Sequence, residues 1–355
     1  MPSLALLKDY VDSLWLFGWS QMISSSLLIC LYYTTTLIHY YTTMNIAFLD
    51  QAAHPYLQQA LAAAGHTVTN LADQDRENIL PILSQFDGLM IRSRLKIDRE
   101  LLDACGPDFK FVARWGVGTD HIDLDYAKAK GITVYNSPEG SKHTVAEHTV
   151  GMMLMLLNHL GRADRQIREG GWVRRGNVGT ELGSLTVGLI GYGNMGQMTA
   201  RRLVGFGCRV LAHDKFRTDY GDEYAEAVSL ETLQAEADVV SLHLFLEGNH
   251  YYVNEDWIKA FAKPFYLINT ARGQAVQTEH LVAAMQAGKV RGAALDVHEY
   301  EEQSFVHLEP TELPVPFQYL RKSDRTVLTP HIAGWSEEAE EGHARTLFEK
   351  ITKGT

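Results

Sequence analysis

The sequence predicts an α/β fold built on parallel sheets, and three observations carry this prediction. From Met44 onwards short apolar runs alternate with helical stretches, the pattern of strands joined by crossover helices. The chain has 355 residues, 46% of them apolar and 21% charged, so it can bury a core in each of about two domains. A glycine-rich turn at 191–196 lies between a predicted strand and a predicted helix, a further mark of this class.

The charge and cysteine content limit the partners and the compartment. The formal net charge is −11, from 32 basic and 43 acidic side chains, so binding to a nucleic-acid backbone is not expected. The three cysteines, Cys30, Cys105 and Cys208, show no paired spacing and no metal-ligand pattern. We therefore expect a reducing, cytoplasmic compartment, no disulfide framework and no metal site.

Residues 1–43 differ from the rest of the chain. Residues 13–43 contain no Lys, Arg, Asp or Glu, and a transmembrane helix needs about 20 mostly apolar residues, so the length permits a membrane anchor. Polar residues interrupt the run at 24–26 and 34–36, and neither a signal-peptide cleavage site nor the arginines of a transit peptide are present. We expect Met44 to be the natural start and 1–43 to be an extension outside the fold. A membrane anchor is the competing interpretation.

The first α/β series follows Met44. Apolar runs predict strands at 45–50, 68–71, 88–92, 110–114 and 132–135, and helical spacing predicts helices at 54–64 and 98–105. Gly65 directly follows the first of these helices, at the position of a left-handed C-terminal cap. A series of this size indicates a small flavodoxin-like domain.

A long helix is predicted at 144–160. One of its faces carries Met152, Met153, Met155, Leu156 and Leu157. This face fits core packing, and its apolar breadth equally fits a contact between subunits or domains, so a homodimer is expected.

A second α/β series begins near Leu185. Its predicted strands are 186–190, 209–213, 237–244, 265–269 and 292–297, and its predicted helices are 194–206 and 279–287. Residues 300–325 contain three prolines and mixed charge, which predict a loop with little regular structure. A short β-rich run at 326–328 follows.

The turn between the strand 186–190 and the helix 194–206 has the context of a dinucleotide site. It consists of Gly191, Tyr192, Gly193, Asn194, Met195 and Gly196. Gly191 permits the tight turn, Gly193 lets the backbone approach a pyrophosphate, and Gly196 allows the helix to pack close to the strand. The helix N-terminus then presents free N–H groups to the diphosphate. A purely structural glycine turn is the alternative.

Asp214 extends this site. It ends the next predicted strand, 23 residues after Gly191, close to the offset of about 20 residues expected for an acid that binds a ribose. Its carboxylate would accept hydrogen bonds from ribose hydroxyls and repel a 2′-phosphate, so the sequence favours NAD over NADP as the cofactor. Lys215 and Arg217 lie close by and keep NADP open as the alternative.

Polar residues follow three further strands, where a core would not place them. Arg272 comes after the strand 265–269, Asp296 ends the strand 292–297, and His331 follows the run 326–328. Glu301 stands just beyond Asp296. Ligands bind at the carboxyl ends of strands in open α/β sheets. Each residue alone also fits a surface or structural role, but Arg272, Glu301 and His331 together beside a nucleotide site favour an active site.

The sequence resembles the D-isomer-specific 2-hydroxyacid dehydrogenase family. The matching segments include Arg-Trp-Gly-Val-Gly-Thr-Asp-His-Ile-Asp at 114–123, Ala-Glu-His-Thr-Val-Gly at 146–151, the turn at 191–196, Asn-Thr-Ala-Arg-Gly at 269–273, Gly-Ala-Ala-Leu-Asp-Val at 292–297 and Thr-Pro-His-Ile-Ala-Gly at 329–334. The similarity spans 44–355 and is greatest to D-3-phosphoglycerate dehydrogenases of the short form without regulatory domains. It implies a substrate-binding domain formed by 44–142 and 329–355, with a Rossmann-type NAD-binding domain, 143–328, inserted between its two parts.

The resemblance implies roles for individual residues. Arg272 would bind the substrate carboxylate and polarise the carbonyl, His331 would exchange the proton, and Glu301 would orient the imidazole. Glu301 is preferred to Glu299 because the family's acid lies five residues after the aspartate that matches Asp296. The turn whose N–H groups would also hold the carboxylate is Gly116, Val117 and Gly118. The implied further cofactor contacts are Thr270, Asp296 and Gly334.

The resemblance also bears on the substrate. Arg92, Ser93 and Arg94 match the segment in which phosphoglycerate dehydrogenases hold the substrate phosphate, and a surface basic pair is the alternative. We therefore expect NAD-dependent oxidation of 3-phosphoglycerate in serine biosynthesis. Reduction of glyoxylate or hydroxypyruvate is the alternative within this class. An NAD-sensing, corepressor-like scaffold without catalytic activity is the alternative from another class.

Two features depart from the family's pattern. Phe245 follows Leu242-His243-Leu244, where the family usually has a proline after Leu-His-Val, and this change would reshape the adenine or ribose wall. The stretch between Glu301 and His331 is longer than usual and would cap the substrate cleft.

Overall fold

Two separate parallel sheets form the frame of the protein, which confirms the predicted α/β class. The computed structural model describes residues 43–301 and 313–354. Residues 1–42, which include nearly all of the predicted extension, and residues 302–312 lie outside the described part of the chain. Within the described ranges, no helix is long and apolar enough to cross a membrane.

The first sheet has five strands, and four helices lie in the connections between them. The strands are β1 (Asn45–Phe48), β2 (Thr67–Asn70), β3 (Gly88–Ile91), β4 (Phe111–Arg114) and β5 (Thr133–Tyr135). The helices are α1 (Tyr56–Ala63), α2 (Arg76–Ile79), α3 (Arg99–Ala104) and α4 (Leu124–Ala129). The order β2-β1-β3-β4-β5 is the flavodoxin-like order that the sequence predicts. Gly65 follows α1 with a φ of +91°, the left-handed conformation expected of a C-terminal cap.

The second sheet has seven strands and follows two connecting helices, α5 (Pro138–Leu157) and α6 (Leu160–Arg168). The strands are β6 (Thr186–Ile190), β7 (Arg209–His213), β8 (Glu226–Ala227), β9 (Val239–Leu242), β10 (Phe265–Asn269), β11 (Val290–Leu295) and β12 (Thr326–Leu328). The remaining helices are α7 (Asn194–Leu203), α8 (Leu230–Glu236), α9 (Glu255–Lys259), α10 (Thr278–Gln286), α11 (Val315–Lys322) and α12 (Glu337–Gly354). The order β12-β11-β10-β9-β6-β7-β8 is the doubly wound, Rossmann-type order.

Helix α5 is displaced towards the N-terminus relative to the predicted helix 144–160. It starts at Pro138, whose fixed φ suits a first helical position, and it ends before His159, which adopts a left-handed φ of +55°. Most of the predicted apolar face is buried against the larger sheet, namely Met152, Met153, Leu156 and Leu157. This face therefore packs within the chain, and only Met155 remains partly exposed.

The prediction of a loop over 300–325 is wrong for its last part, which contains α11. Pro314 and Pro316 stand at the N-cap and in the first turn, where the missing N–H group would have no intrahelical partner. Phe317 and Leu320 of this helix are buried in the core on one face of the larger sheet. The prolines that suggested a loop therefore mark the start of a helix.

Helix α12, which is not among the predicted elements, packs on both α5 and the first sheet. The crossing of α5 and α12 is so close that a Cβ on Gly140 would collide with the backbone N of His343. Next to it, Nδ1 of the buried His343 lies 2.8 Å from Oγ of Ser137. The predicted domain boundary at 142/143 falls inside α5, so the division into 44–142 with 329–355 and 143–328 stays a prediction.

The α5–α12 crossing yields a test of stability on a single helix. Gly140→Ala is expected to destabilise the fold by about 1–3 kcal/mol, because its Cβ has no room against the backbone of α12. Gly151→Ala, also on α5, meets no atom within 4 Å and should stabilise by about 0.5–1 kcal/mol. Urea midpoints of both variants measure the two effects. Equal shifts in the same direction would contradict the described crossing.

Candidate active site

The glycine-rich turn lies at the carboxyl end of β6, between β7 and β9 in the sheet, where the chain reverses its direction of winding. Gly191 has a φ of +95°, and a Cβ there would collide with the carbonyl oxygen of His243. A Cβ on Gly196 would collide with the carbonyl of Gly191, so both glycines are required by packing. A Cβ on Gly193, the exposed N-cap of α7, would meet no atom within 4 Å. The open space at Gly193 fits the close approach of a pyrophosphate.

The other three residues of the turn differ in which of their groups face the predicted cofactor space. The Tyr192 side chain is buried and donates its hydroxyl hydrogen to Asp222 Oδ1 at 2.7 Å, and burial together with this bond raises its pKa. Its ring thus faces the protein rather than the ligand space. Asn194 and Met195 form the first turn of α7, whose backbone N–H groups have no partner within the helix.

Asp214 is held at the turn by three backbone N–H groups. Its Oδ2 accepts from Tyr192 N at 2.8 Å, and its Oδ1 accepts from Phe216 N at 2.9 Å and Arg217 N at 3.2 Å. A carboxylate has about four acceptor positions, so one on Oδ2 remains for a ribose hydroxyl.

The two cations beside Asp214 are directed at protein oxygens. Lys215 Nζ donates to Gly248 O at 3.0 Å and to Asn249 Oδ1 at 2.7 Å, and Arg217 Nη1 donates to Tyr192 O at 2.6 Å. Both cations therefore already have hydrogen-bond partners within the protein. The loop that Lys215 closes carries Phe245, which is 67% exposed.

Arg272 reaches the first sheet from the end of β10. Its Nε donates to Asp120 Oδ2 at 3.0 Å, and its Nη1 donates to Ala271 O at 2.7 Å. Its Nη2 lies against Gly118, where an added Cβ would collide with it, and donates to no described residue. One guanidinium donor thus remains for a ligand at the Gly118 turn.

The turn after β4 offers matching donors. The N–H group of Gly116 donates to Ser137 Oγ at 3.0 Å, and the carbonyl of Val117 accepts from Asn136 Nδ2 at 2.8 Å. The N–H groups of Val117 and Gly118 have no partner among the described residues. We call these two groups and the neighbouring Arg272 Nη2 the cradle, since they are the kinds of donor that bind a carboxylate.

Arg114, at the end of β4, was not singled out in the sequence as a site residue. Its Nη1 donates to the carbonyl of Trp115, and its buried Nε has no partner in the described part of the chain. Burial and then the charges of Arg272 and Arg92 lower its pKa to about 10. Its place at the carboxyl end of a predicted strand was the available signal, the same one that marked Asp296.

His331 and Glu301 form a direct pair. Nδ1 of His331 lies 3.0 Å from Oε1 of Glu301, and His331 has a left-handed φ of +57°. Glu299, in contrast, accepts from the Tyr251 hydroxyl at 2.7 Å and from Thr278 N at 2.8 Å. The structure therefore brings Glu301, and not Glu299, to the histidine.

Asp296 is the anchor of the turn that carries His331. Its fully buried carboxylate accepts from the Thr329 hydroxyl at 2.6 Å, from Ile332 N at 2.9 Å and from Ala333 N at 2.8 Å. Burial alone would raise its pKa, but hydrogen bonds from His148, Thr329 and the two backbone N–H groups outweigh burial and lower it to about 2. Among the described residues, the hydrogen-bond donor to Oδ2 is Ala333 N. The predicted contact of Asp296 with the nicotinamide stays a prediction.

The other two predicted cofactor residues lie beside α5. Thr270 Oγ1 is 2.9 Å from Thr149 Oγ1, and the Thr149 hydroxyl donates to Val145 O at 2.7 Å. A Cβ on Gly334 would lie 3.8 Å from Ser141. Both positions stay predictions as cofactor contacts.

The predicted phosphate segment is occupied by protein contacts. Arg92 Nη2 donates to Glu340 Oε1 at 3.1 Å. Arg94 donates through Nε and Nη2 to Leu49 O and through Nη1 to Gln74 O, and lies 3.8 Å from Asp50. Ser93 is half-buried between them. The guanidinium of Arg94 is thus engaged by backbone carbonyls, and the predicted substrate contacts of all three residues stay predictions.

The open space at Gly193 yields a test of cofactor binding. Gly193→Ala is expected to leave the fold intact, because its Cβ meets no protein atom, and to weaken NADH binding by at least about tenfold, because the methyl fills the pyrophosphate space. The quench of tryptophan fluorescence on NADH addition measures affinity, with Gly151→Ala as the control. Unchanged affinity in Gly193→Ala would mean that the dinucleotide does not lie on this turn.

Several known proteins resemble this chain. A hydroxypyruvate reductase from Thermotoga maritima is 37% identical over 79% of this chain and 88% of its own length. A glyoxylate reductase from Thermofilum pendens is 38% identical over 75% of this chain and 77% of its own. A D-3-phosphoglycerate dehydrogenase from Synechocystis is 31% identical over 85% of this chain, which spans 52% of that relative.

Fold and sequence agree on the family. The crystal structure of D-lactate dehydrogenase from Aquifex aeolicus, complexed with NAD and lactic acid, superposes with a TM-score of 0.74 at 30% identity, covering 87% of this chain and 96% of that one. Residues 150–333 match the family described as D-isomer specific 2-hydroxyacid dehydrogenase, NAD binding domain. The chain therefore belongs to the D-isomer specific 2-hydroxyacid dehydrogenases, a family of NAD-dependent oxidoreductases.

Proposed function

We propose that the protein uses NADH to reduce a short, unphosphorylated 2-keto acid such as hydroxypyruvate or glyoxylate, and that it catalyses the reverse oxidation. The pairing of the arginines at the candidate substrate cleft carries this proposal. Arg92 pairs with Glu340, Arg272 pairs with Asp120, and Arg94 lies 3.8 Å from Asp50. The predicted phosphate-binding arginines thus already have carboxylates beside them. This arrangement favours a substrate with the single negative charge of a 2-keto acid over a phosphorylated one.

The substrate carboxylate would lie in the cradle after β4. The N–H groups of Val117 and Gly118 would donate to one side of it, and Arg272 Nη2 to the other. Asp120, which accepts from Arg272 Nε at 3.0 Å, fixes the plane of the guanidinium so that Nη2 stays directed at the turn. The cradle thereby orients the keto carbon.

The proton would pass through His331. Hydride arrival at the keto carbon places negative charge on the carbonyl oxygen, and a protonated imidazole can neutralise it from Nε2. Glu301 Oε1 accepts from Nδ1 of the imidazole at 3.0 Å and so holds the orientation of the ring. In the oxidation direction the same imidazole takes the proton. NADH, when bound, supplies the hydride.

Oxidation of 3-phosphoglycerate is the second candidate. Arg114 favours it, because its buried Nε has no partner among the described residues and its guanidinium lies near that of Arg92. A phosphate would bring close to two further negative charges. Glu340 and Asp50 already balance Arg92 and Arg94, so we rank this substrate second.

We further propose a homodimer that uses the surface after α5 rather than the buried face of α5 itself. Large apolar side chains are exposed there, namely Leu160, Ile167, Trp172, Val173 and Val178. Patches of this kind mark protein interfaces, and Trp172 is 82% exposed. Sedimentation velocity should show a dimer for the wild type and a monomer for Trp172→Glu. A monomeric wild type would contradict this proposal.

A panel of 2-keto acids with NADH and NADPH, followed at 340 nm, tests the function. Hydroxypyruvate or glyoxylate with NADH should give the highest kcat/KM. His331→Ala should lower kcat by about 10²–10⁴-fold because the general acid is lost. His280→Ala is the control and should leave kcat unchanged, because this histidine lies on α10 and its ring accepts from Glu255 N.

Other outcomes of the panel would decide against the proposal. A higher kcat/KM for 3-phosphohydroxypyruvate than for hydroxypyruvate would establish the second candidate. NADH binding without turnover of any 2-keto acid would instead support the corepressor-like scaffold.

A further inference from the structure

We propose that Glu340 is a specificity-determining residue, which occupies Arg92 and thereby excludes phosphorylated substrates. This inference rests on the proposed function, because it names the side chain that limits the charge of the substrate. Glu340 acts through Arg92 and does not itself touch the substrate in this account.

Both carboxylate oxygens of Glu340 are in use. Oε1 accepts from Arg92 Nη2 at 3.1 Å, and Oε2 accepts from Trp115 Nε1 at 2.7 Å. The side chains of Arg92 and Glu340 are only 28% and 20% exposed, so this is a partly desolvated pair rather than a surface ion pair. Trp115, which is 2% exposed, immediately precedes the Gly116 turn. Glu340 therefore links α12 to both predicted substrate-binding segments.

Arg92 is held on other sides as well. Its Cζ lies 5.8 Å from the ring centroid of Trp335, and its backbone N–H donates to Asp50 Oδ2 at 2.6 Å. A phosphate that bound Arg92 through its other N–H groups would lie beside the Glu340 carboxylate, which Trp115 holds in place. The negative charges of the phosphate and of Glu340 would repel each other.

The cavity next to this pair is also unsuited to a phosphate. It has a volume of about 630 Å³ and is lined by Ala53, His54, Trp335, Ser336, Glu337, Glu338, Glu340 and Glu341. Four of these eight side chains are carboxylates, so the local field repels a dianion. The predicted phosphate-binding arginine therefore borders an acidic cavity.

The isosteric substitution Glu340→Gln separates this role from a merely structural one. The amide oxygen of glutamine can still accept from Trp115 Nε1, whereas its NH₂ group cannot accept from Arg92. Arg92 is thereby released with the shape of the site kept. The ratio of kcat/KM for 3-phosphohydroxypyruvate to that for hydroxypyruvate is expected to rise by roughly tenfold or more, mainly through a lower KM. An unchanged ratio would overturn the proposal.

Glu349→Gln is the matched control. It removes the same charge from α12 away from the acidic cavity, at a carboxylate that pairs with Lys353. It should leave the ratio unchanged, and an equal rise in both variants would show a general charge effect and overturn the assignment. In Glu340→Gln, the added change Arg92→Ala should abolish the gain, since the gain acts through the freed guanidinium. A gain that persists without Arg92 would also refute the proposal.

A measurement on the wild-type protein keeps the inference testable should Glu340→Gln fail to fold. Inorganic phosphate at millimolar concentration should inhibit the wild type and Arg92→Ala equally, compared with chloride at equal ionic strength. Competitive inhibition of the wild type that Arg92→Ala relieves would show that Arg92 is available and would refute the proposal. Should no 2-keto acid be turned over, the proposed function fails by itself. Calorimetric titration with 3-phosphoglycerate then still distinguishes the wild type, expected not to bind it, from Glu340→Gln, expected to bind.

Discussion

The buried carboxylate of Asp296 is the constraint on which the candidate active site depends. Asp296 directly follows β11, and its carboxylate accepts hydrogen bonds from Thr329 and Ile332, in the turn after β12. Nε2 of His148, on α5, lies 3.5 Å from Asp296 Oδ1. A fully buried carboxylate can stay ionised only when hydrogen-bond donors surround it. Here the donors outweigh burial and lower the pKa of Asp296 to about 2. Because Asp296 also accepts the N–H of His331 through its carbonyl at 2.7 Å, the left-handed backbone of that histidine is held in place. Asp296 thereby fixes the backbone of the turn that carries the His331 imidazole.

Charge pairing organises the other half of the site. Each guanidinium near the glycine turn after β4 meets an acidic side chain or a carbonyl. A cleft whose arginines are already paired in this way favours a substrate that carries little negative charge. Glu340 and Asp120 have opposite effects here, since one occupies an arginine while the other orients one.

The fold class and the approximate positions of most strands could be predicted because both rest on local patterns. Short apolar runs mark strands wherever they lie, and the spacing of glycines between a strand and a helix marks the dinucleotide turn. Helix ends were harder to place. The observed α5 starts at Pro138 and ends before His159, several residues from the predicted bounds, since the backbone of one residue decides where a helix ends. Pro314 and Pro316 stand at the start of α11, where prolines had suggested a loop. The sequence left open whether the apolar face of α5 packs in the core or contacts another subunit or domain. The structure shows that most of this face packs against the larger sheet.

By itself the sequence determined which residue types stand at which strand ends, and hence the dinucleotide turn, Asp214 and the set Arg272, Glu301 and His331. Only the tertiary structure decided how those side chains are used. Residues 92 and 340 are 248 positions apart, and Arg272 and Asp120 are 152 apart, so no local pattern could indicate that these charges neutralise each other. A motif records where a guanidinium is placed along the chain, whereas its availability to a ligand depends on the carboxylates that folding brings beside it.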